Sequence, residues 1–182
     1  MATAEASLVV WTSALTFTAC AAALDIKTRR IPNWLTVSGV LTGIGLNAAW
    51  GGWSSLLVAL EGAGLGLAIL LPLVFLRALG AGDWKLIGAV GAFLGPVMLL
   101  SVLLASIIVA GAMATILMIR AGKVRETLRN LGLLVMGFFT FGLRANPVIS
   151  LDNPDALRLP FGVAAALGTL ICFVAAHWHL GI

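Results

Sequence analysis

Long apolar stretches alternate along this chain with short polar punctuation. A helix that crosses a bilayer needs about 20 mostly apolar residues. Six stretches meet that requirement, at about 6–24, 34–51, 54–79, 84–100, 101–119 and 160–180. The joints carry turn residues: Pro32-Asn33 opens the second stretch, Gly51-Gly52 closes it, and Gly80-Ala81-Gly82 separates the third from the fourth. The fourth and fifth meet near Gly95-Pro96 and Ser101 with almost no loop. The pattern predicts an all-α polytopic membrane protein with six transmembrane helices, in a single domain over 1–182.

One apolar run does not fit a span. Leu131–Leu143 holds only thirteen residues, too few to cross. The segment 120–143 therefore reads as a basic, partly amphipathic stretch leading into an interfacial or re-entrant element. The stretch 144–159, with Asn146-Pro147 and Asp152-Asn153-Pro154-Asp155, reads as a loop. At the other end, residues 1–24 lack a positive leading region, and Ala6 to Leu24 is long for a signal-peptide core. The expectation is a retained first helix with its N-terminus outside.

Composition strengthens the membrane reading. The chain is 61% hydrophobic and 10% charged, where a soluble domain is about 45–50% apolar and about 25% charged. Charge then orients it. With the N-terminus outside, the segments 25–33, 77–85 and 120–159 face the cytoplasm. They contain Lys27, Arg29, Arg30, Arg77, Lys85, Arg120, Lys123, Arg125, Arg129, Arg144 and Arg158, which are all eleven basic residues of the chain. Such a distribution is the positive-inside rule at work. The net charge of +4 thus belongs to topology, and nucleic acid is not an expected partner. Cys20 and Cys172 each sit inside an apolar run outside any CxxC pair, so they read as packing residues and not as zinc ligands. No metal or cofactor is expected.

Small residues recur at helix-packing spacing in Gly39/Gly43, Gly62/Gly66 and Gly91/Gly95. In lipid, GxxxG pairs let backbones approach closely, which predicts tight packing of the second, third and fourth helices. Among the acidic residues, Glu5 lies outside, while Glu126, Asp152 and Asp155 fall in cytoplasmic segments. Glu61 lies at membrane depth, where an ionisable group invites a functional reading, but it is near enough to the outer end to snorkel. His177, Trp178 and His179 at the outer end of the last helix read as an interfacial anchor.

Asp25 and Asp83 stand apart. One sits at the exit of the first helix and the other at the entrance of the fourth. The charge-derived topology therefore brings two carboxylates, distant in sequence, to one depth at one face. Two close carboxylates cannot both ionise cheaply, so one keeps a proton. Such a pair activates water and protonates a leaving amine without metal. The plainer readings are an N-cap for Asp83, which follows Gly82 and opens a helical run, and an ordinary juxtamembrane residue for Asp25.

The segment Gly80-Ala81-Gly82-Asp83-Trp84-Lys85-Leu86 resembles the GxGDxK motif of the type IV prepilin peptidases, GxGD aspartic proteases of bacterial membranes. The likeness continues through Gly88-Ala89-Val90-Gly91-Ala92-Phe93-Leu94-Gly95. Asp25-Ile26-Lys27-Thr28-Arg29-Arg30-Ile31-Pro32-Asn33 resembles the family's other aspartate segment, and Leu159-Pro160-Phe161-Gly162 its entry to the last helix. The resemblance implies a catalytic dyad of Asp25 and Asp83, supported by Gly80, Gly82, Lys85, Lys27, Pro32 and Asn33. It implies cleavage of a prepilin leader at the cytoplasmic face of the inner membrane, after a glycine that precedes the pilin's apolar helix. The substrate partner would carry a basic leader and a hydrophobic helix, with lipid around both. The CxxC-bearing insert of the bifunctional members is missing, so the chain is similar to the short peptidases of tight-adherence (Flp) pili or of archaeal preflagellins. That implies no zinc and no methyl transfer. Lys27 and Lys85 lie two residues beyond an aspartate, and such positions do not share a helical face. They read as contacts to lipid phosphate or interface anchors. Gly80 and Gly82 read as permitting a turn at the helix mouth.

Other readings are a small transporter with Asp25, Asp83 and Glu61 on an ion path, and a non-catalytic pilus assembly scaffold. A transporter favours acidic groups near the midplane and an inverted repeat, neither of which is seen. A scaffold has no need of paired aspartates. A GxGD protease closer to presenilin places a Tyr before its first aspartate, and this chain has no Tyr.

Overall fold

Apolar sequence without helix breakers makes the first helix, α1 (Ala2–Thr28), and Arg29 ends it. Arg29 adopts left-handed backbone (φ 53°), and its N–H closes the last turn on the Asp25 carbonyl at 2.8 Å. Pro32 then disfavours helix at the residue before it and serves as N-cap for α2 (Asn33–Phe75). Its carbonyl accepts the N–H groups of Leu35 and Thr36. Two further helices follow, α3 (Ala81–Arg120) and α4 (Phe161–Trp178). The structure, a computed structural model, describes residues 2–76, 79–125, 127–129, 132, 136 and 159–178. The described residues contain no strand. The expected interfacial element at 131–143 and the loop at 144–159 lie almost wholly outside them.

The described spans differ from the six expected. Ser7–Thr28, Asn33–Phe75 and Ala81–Arg120 are long and apolar enough to cross a membrane, and Phe161–His177 is a shorter apolar helix. The joint expected at 51/54 lies inside α2, and the joint expected near Gly95-Pro96 and Ser101 lies inside α3, at Gly95. Both are single-residue breaks in an otherwise helical row. Gly52 has φ 63° and ψ −152°, and Gly95 has φ 74° and ψ 174°. These values fall in a region that essentially only glycine occupies.

The Gly52 break reverses the chain. Gly43 on the first arm of α2 packs against the backbone of Ala92 and Phe93, while Gly62 on the second arm packs against Gly91 and Gly95. An unbroken helix would hold Gly43 and Gly62 about 28 Å apart, yet both touch one turn of α3. Along the second arm the pairing runs Val58 with Gly95, Gly62 with Gly91 and Gly66 with Ile87, an antiparallel register. Gly95 likewise turns α3. Gly168 of α4 abuts Val102 and Ser106 and lies only about 9 Å along α4 from Gly162. A straight α3 would carry Ser106 about 34 Å from Asp83.

The first arm of α3 is the centre of the bundle. Leu86 through Phe93 are buried without interruption, so no polar face is present and small residues alternate with large ones. The paired glycines act as expected at Gly43, Gly62, Gly66, Gly91 and Gly95. Gly39 instead receives the Phe17 ring from α1. Outward faces carry exposed Val97, Leu104, Ile108 and Ile116, an apolar coat suited to lipid. Cys20 lies on such a face and is exposed, so it is not a packing residue, whereas Cys172 is partly buried.

Breaking a helix in apolar surroundings strands polar backbone. Pro96 has no N–H to give the Ala92 carbonyl, and the turn at Gly95 disturbs the next bond in the row. Asn47 of α2 answers both. Its Nδ2 donates to the carbonyls of Ala92 (3.1 Å) and Phe93 (2.9 Å), and to Gly43 in its own helix (2.9 Å).

Two predictions follow from this packing. Gly62→Ala or Gly91→Ala would drive a Cβ into facing backbone, lowering stability by about 1–3 kcal/mol. Gly45→Ala and Gly64→Ala meet open space and should leave it unchanged or raised by about 0.5–1 kcal/mol. Unfolding in detergent micelles reads the contrast, and equal effects at all four would refute the backbone contact. Separately, Asn47→Leu should lower stability by about 1–2 kcal/mol through the carbonyls it abandons. An unaltered unfolding midpoint would show that they find other donors.

Candidate active site

Three helix ends meet at one end of the bundle. Asp25 sits in the last turn of α1, inside the helix and not beyond it, and is 6% exposed. Its Oδ2 accepts the backbone N–H of Gly162, in the first turn of α4, at 2.8 Å. Asp83 is the third residue of α3, and the N-cap is Gly80. The N-cap reading of Asp83 is thus corrected. Its carboxylate instead turns back toward Gly80, the N-cap residue. Asp83 is half-buried and lies within electrostatic reach of Asp25. The two carboxylates that sequence paired by depth alone are therefore brought together.

The glycines around them work through space and not through backbone freedom. Gly80 has φ −69° and ψ 143°, open to any residue, and neither it nor Gly82 has positive φ. A Cβ on Gly80 would stand 3.0 Å from Asp83 Oδ2. A Cβ on Gly82 would stand 3.1 Å from the Ile31 carbonyl and 3.2 Å from its Cβ. The α1–α2 connection is thus laid directly on the mouth of α3. Buried Ile31 is the anchor of that contact.

Pro32 and Asn33 form the start of α2, as described. Asn33 also receives Lys85: the Nζ donates to Asn33 Oδ1 at 2.9 Å. Lys85 therefore ties the connection to α3, a pairing that the spacing of two from Asp83 did not reveal. Lys27 is exposed on the far side of α1's end and joins none of these contacts. Trp84, next to Asp83, donates its indole N–H to the Leu67 carbonyl at 2.6 Å, fixing the start of α3 on the second arm of α2. Glu61 is exposed on that arm, apart from the dyad. His177 donates its Nδ1–H to the Phe173 carbonyl and meets Trp11 edge-on, at the opposite end of the bundle. His179 lies outside the described residues.

Gly162 is a residue of this candidate site that sequence reasoning left among motif matches. The only signal was Leu159-Pro160-Phe161-Gly162 itself, because a backbone N–H leaves no trace in residue type. Chemically, two neighbouring carboxylates that cannot both ionise cheaply can offer a base and an acid side by side.

A Lys85→Ala, Asn33→Ala double-mutant cycle tests the tie between them. The coupling should be small, below about 1 kcal/mol, because the pair is exposed. Micelle unfolding measures it, and a coupling above 2 kcal/mol would make this contact a major brace of the mouth.

Residues 12–116 match the model of the type IV leader peptidase family. The matched stretch includes both aspartates and stops before α4. No curated protein and no solved structure matches the chain.

Proposed function

We propose that this chain, which belongs to the type IV leader peptidase family, is an aspartic endopeptidase that uses Asp25 and Asp83. The observation that carries the reading is the meeting of a buried and a half-buried carboxylate from different helices, with Asp25 held by the Gly162 backbone N–H. In the reaction, the ionised partner accepts a proton from water as the oxygen attacks the scissile carbonyl. The protonated partner then supplies a proton to the departing amine. Metal has no part in this scheme.

The substrates are type IV prepilins of the Flp kind, cut at the junction of basic leader and apolar helix. The cut falls on the cytoplasmic side of the inner membrane. The clustering of Lys27, Arg29, Arg30 and Lys85 near the dyad supports that side. The two arms of α2 and the two arms of α3 act as separate passages, which with α1 and α4 make six. The arms of α2, about 19 and 23 residues long, match a core of about 30 Å. Lys85 and Asn33 hold the mouth in shape, with Gly80 and Gly82 leaving room for the carboxylate and the connection.

Purified protein in liposomes, mixed with a candidate prepilin, provides the test. Mass spectrometry should find cleavage after the leader glycine, and Asp25→Asn and Asp83→Asn should each reduce it at least a thousandfold while remaining folded. Full cleavage by either folded variant would remove that aspartate from the mechanism.

A further inference from the structure

From the geometry at the head of α4 we infer that Gly162 is a positioning residue, whose N–H and missing side chain together hold Asp25 in its working orientation. The inference rests on the dyad proposed above. Asp25 lies in the last turn of α1, where its own helix offers free carbonyls and no free N–H. A buried carboxylate there needs a donor from elsewhere. α4 supplies it: the Gly162 N–H meets Oδ2 at 2.8 Å, in a turn whose leading N–H groups have no helical partners. Pro160 sets that turn, its carbonyl accepting the Val163 N–H.

The approach is tight even for one added carbon. A Cβ at 162 would stand 3.0 Å from Asp25 Cβ, 3.1 Å from its Oδ2 and 3.2 Å from the Ala21 carbonyl. Asp25 and Ala21 are both buried on one helix face, so relief requires Asp25 to shift or its carboxylate to turn. α4 thus reaches the reaction through Asp25, although it lies outside the stretch matched to the family.

Two variants at 162 and one control test this in the liposome assay. Gly162→Pro removes the N–H and adds the same crowding carbon, at a first-turn position whose N–H the helix itself does not use. Gly162→Ala keeps the N–H but presses on Asp25. Both should lower kcat about tenfold or more, with KM within about twofold. The control Gly168→Ala disturbs α4 against Ser106 and Val102 instead. It should cost stability while its folded fraction keeps the parental kcat.

Parental kcat in folded Gly162→Pro, a loss confined to KM, or an equal kcat loss in Gly168→Ala would each overturn the assignment. A second measurement does not depend on how the 162 variants fold. In micelles, the Gly162 amide proton resonance should move upfield in Asp25→Asn, with Gly168 unmoved. A stationary Gly162 signal would mean that the bond is not made. Asp25→Asn also separates the two readings. If it still cleaves, the dyad fails. If it is dead while Gly162→Pro is fully active, only the clamp fails.

Discussion

Backbone lies on backbone where both arms of α2 meet the first arm of α3, and the rest of the bundle is arranged around that contact. Gly43, Gly62, Gly66 and Gly91 are sites where a Cβ would strike main-chain atoms of the facing helix. Lipid tails are as apolar as leucine, so burying apolar surface gives little net drive between helices in a bilayer. Close van der Waals approach supplies the attraction, and glycine makes it available. The consequence is a central helix arm buried on every side from Leu86 to Phe93. Asp83 is its third residue, so the firmest element of the protein carries one of the two carboxylates.

The second carboxylate comes to the first by a short route. Asp25 is followed by a left-handed Arg29 and then by Ile31, whose backbone rests on Gly82. Four residues separate the end of α1 from the start of α2, too few for the two helix ends to drift apart. α4 closes the arrangement from the third side through Gly162. Three helix termini thus converge on two acidic side chains, and the head of α4 brings a backbone donor to Asp25.

Polar groups deeper in the bundle follow the same accounting. Asn47 satisfies carbonyls released by Gly95 and Pro96, and Trp84 spends its indole N–H on Leu67. Buried Thr18, Ser106 and Thr169 return their hydroxyls to carbonyls one turn back. In hydrocarbon each unsatisfied group would cost several kcal/mol. The breaks that let two long helices reverse are therefore tolerated only because side chains elsewhere compensate for them.

Hydropathy alone determined that the chain is helical and lipid-facing, since periodic burial cannot be hidden in so apolar a sequence. The spacing of Gly62/Gly66 and Gly91/Gly95 told which faces approach closely, and two motif segments picked out Asp25 and Asp83. Residue type carries that information directly: glycine is the absence of a Cβ, and aspartate is a charge at a known position. The tertiary structure decided the rest. It made Gly80 the N-cap in place of Asp83, gave Lys85 to Asn33, and set the Gly162 N–H on Asp25. Each of these depends on which backbone groups of different helices come within about 3 Å. Every residue has the same backbone N–H, so only the fold says which one is used.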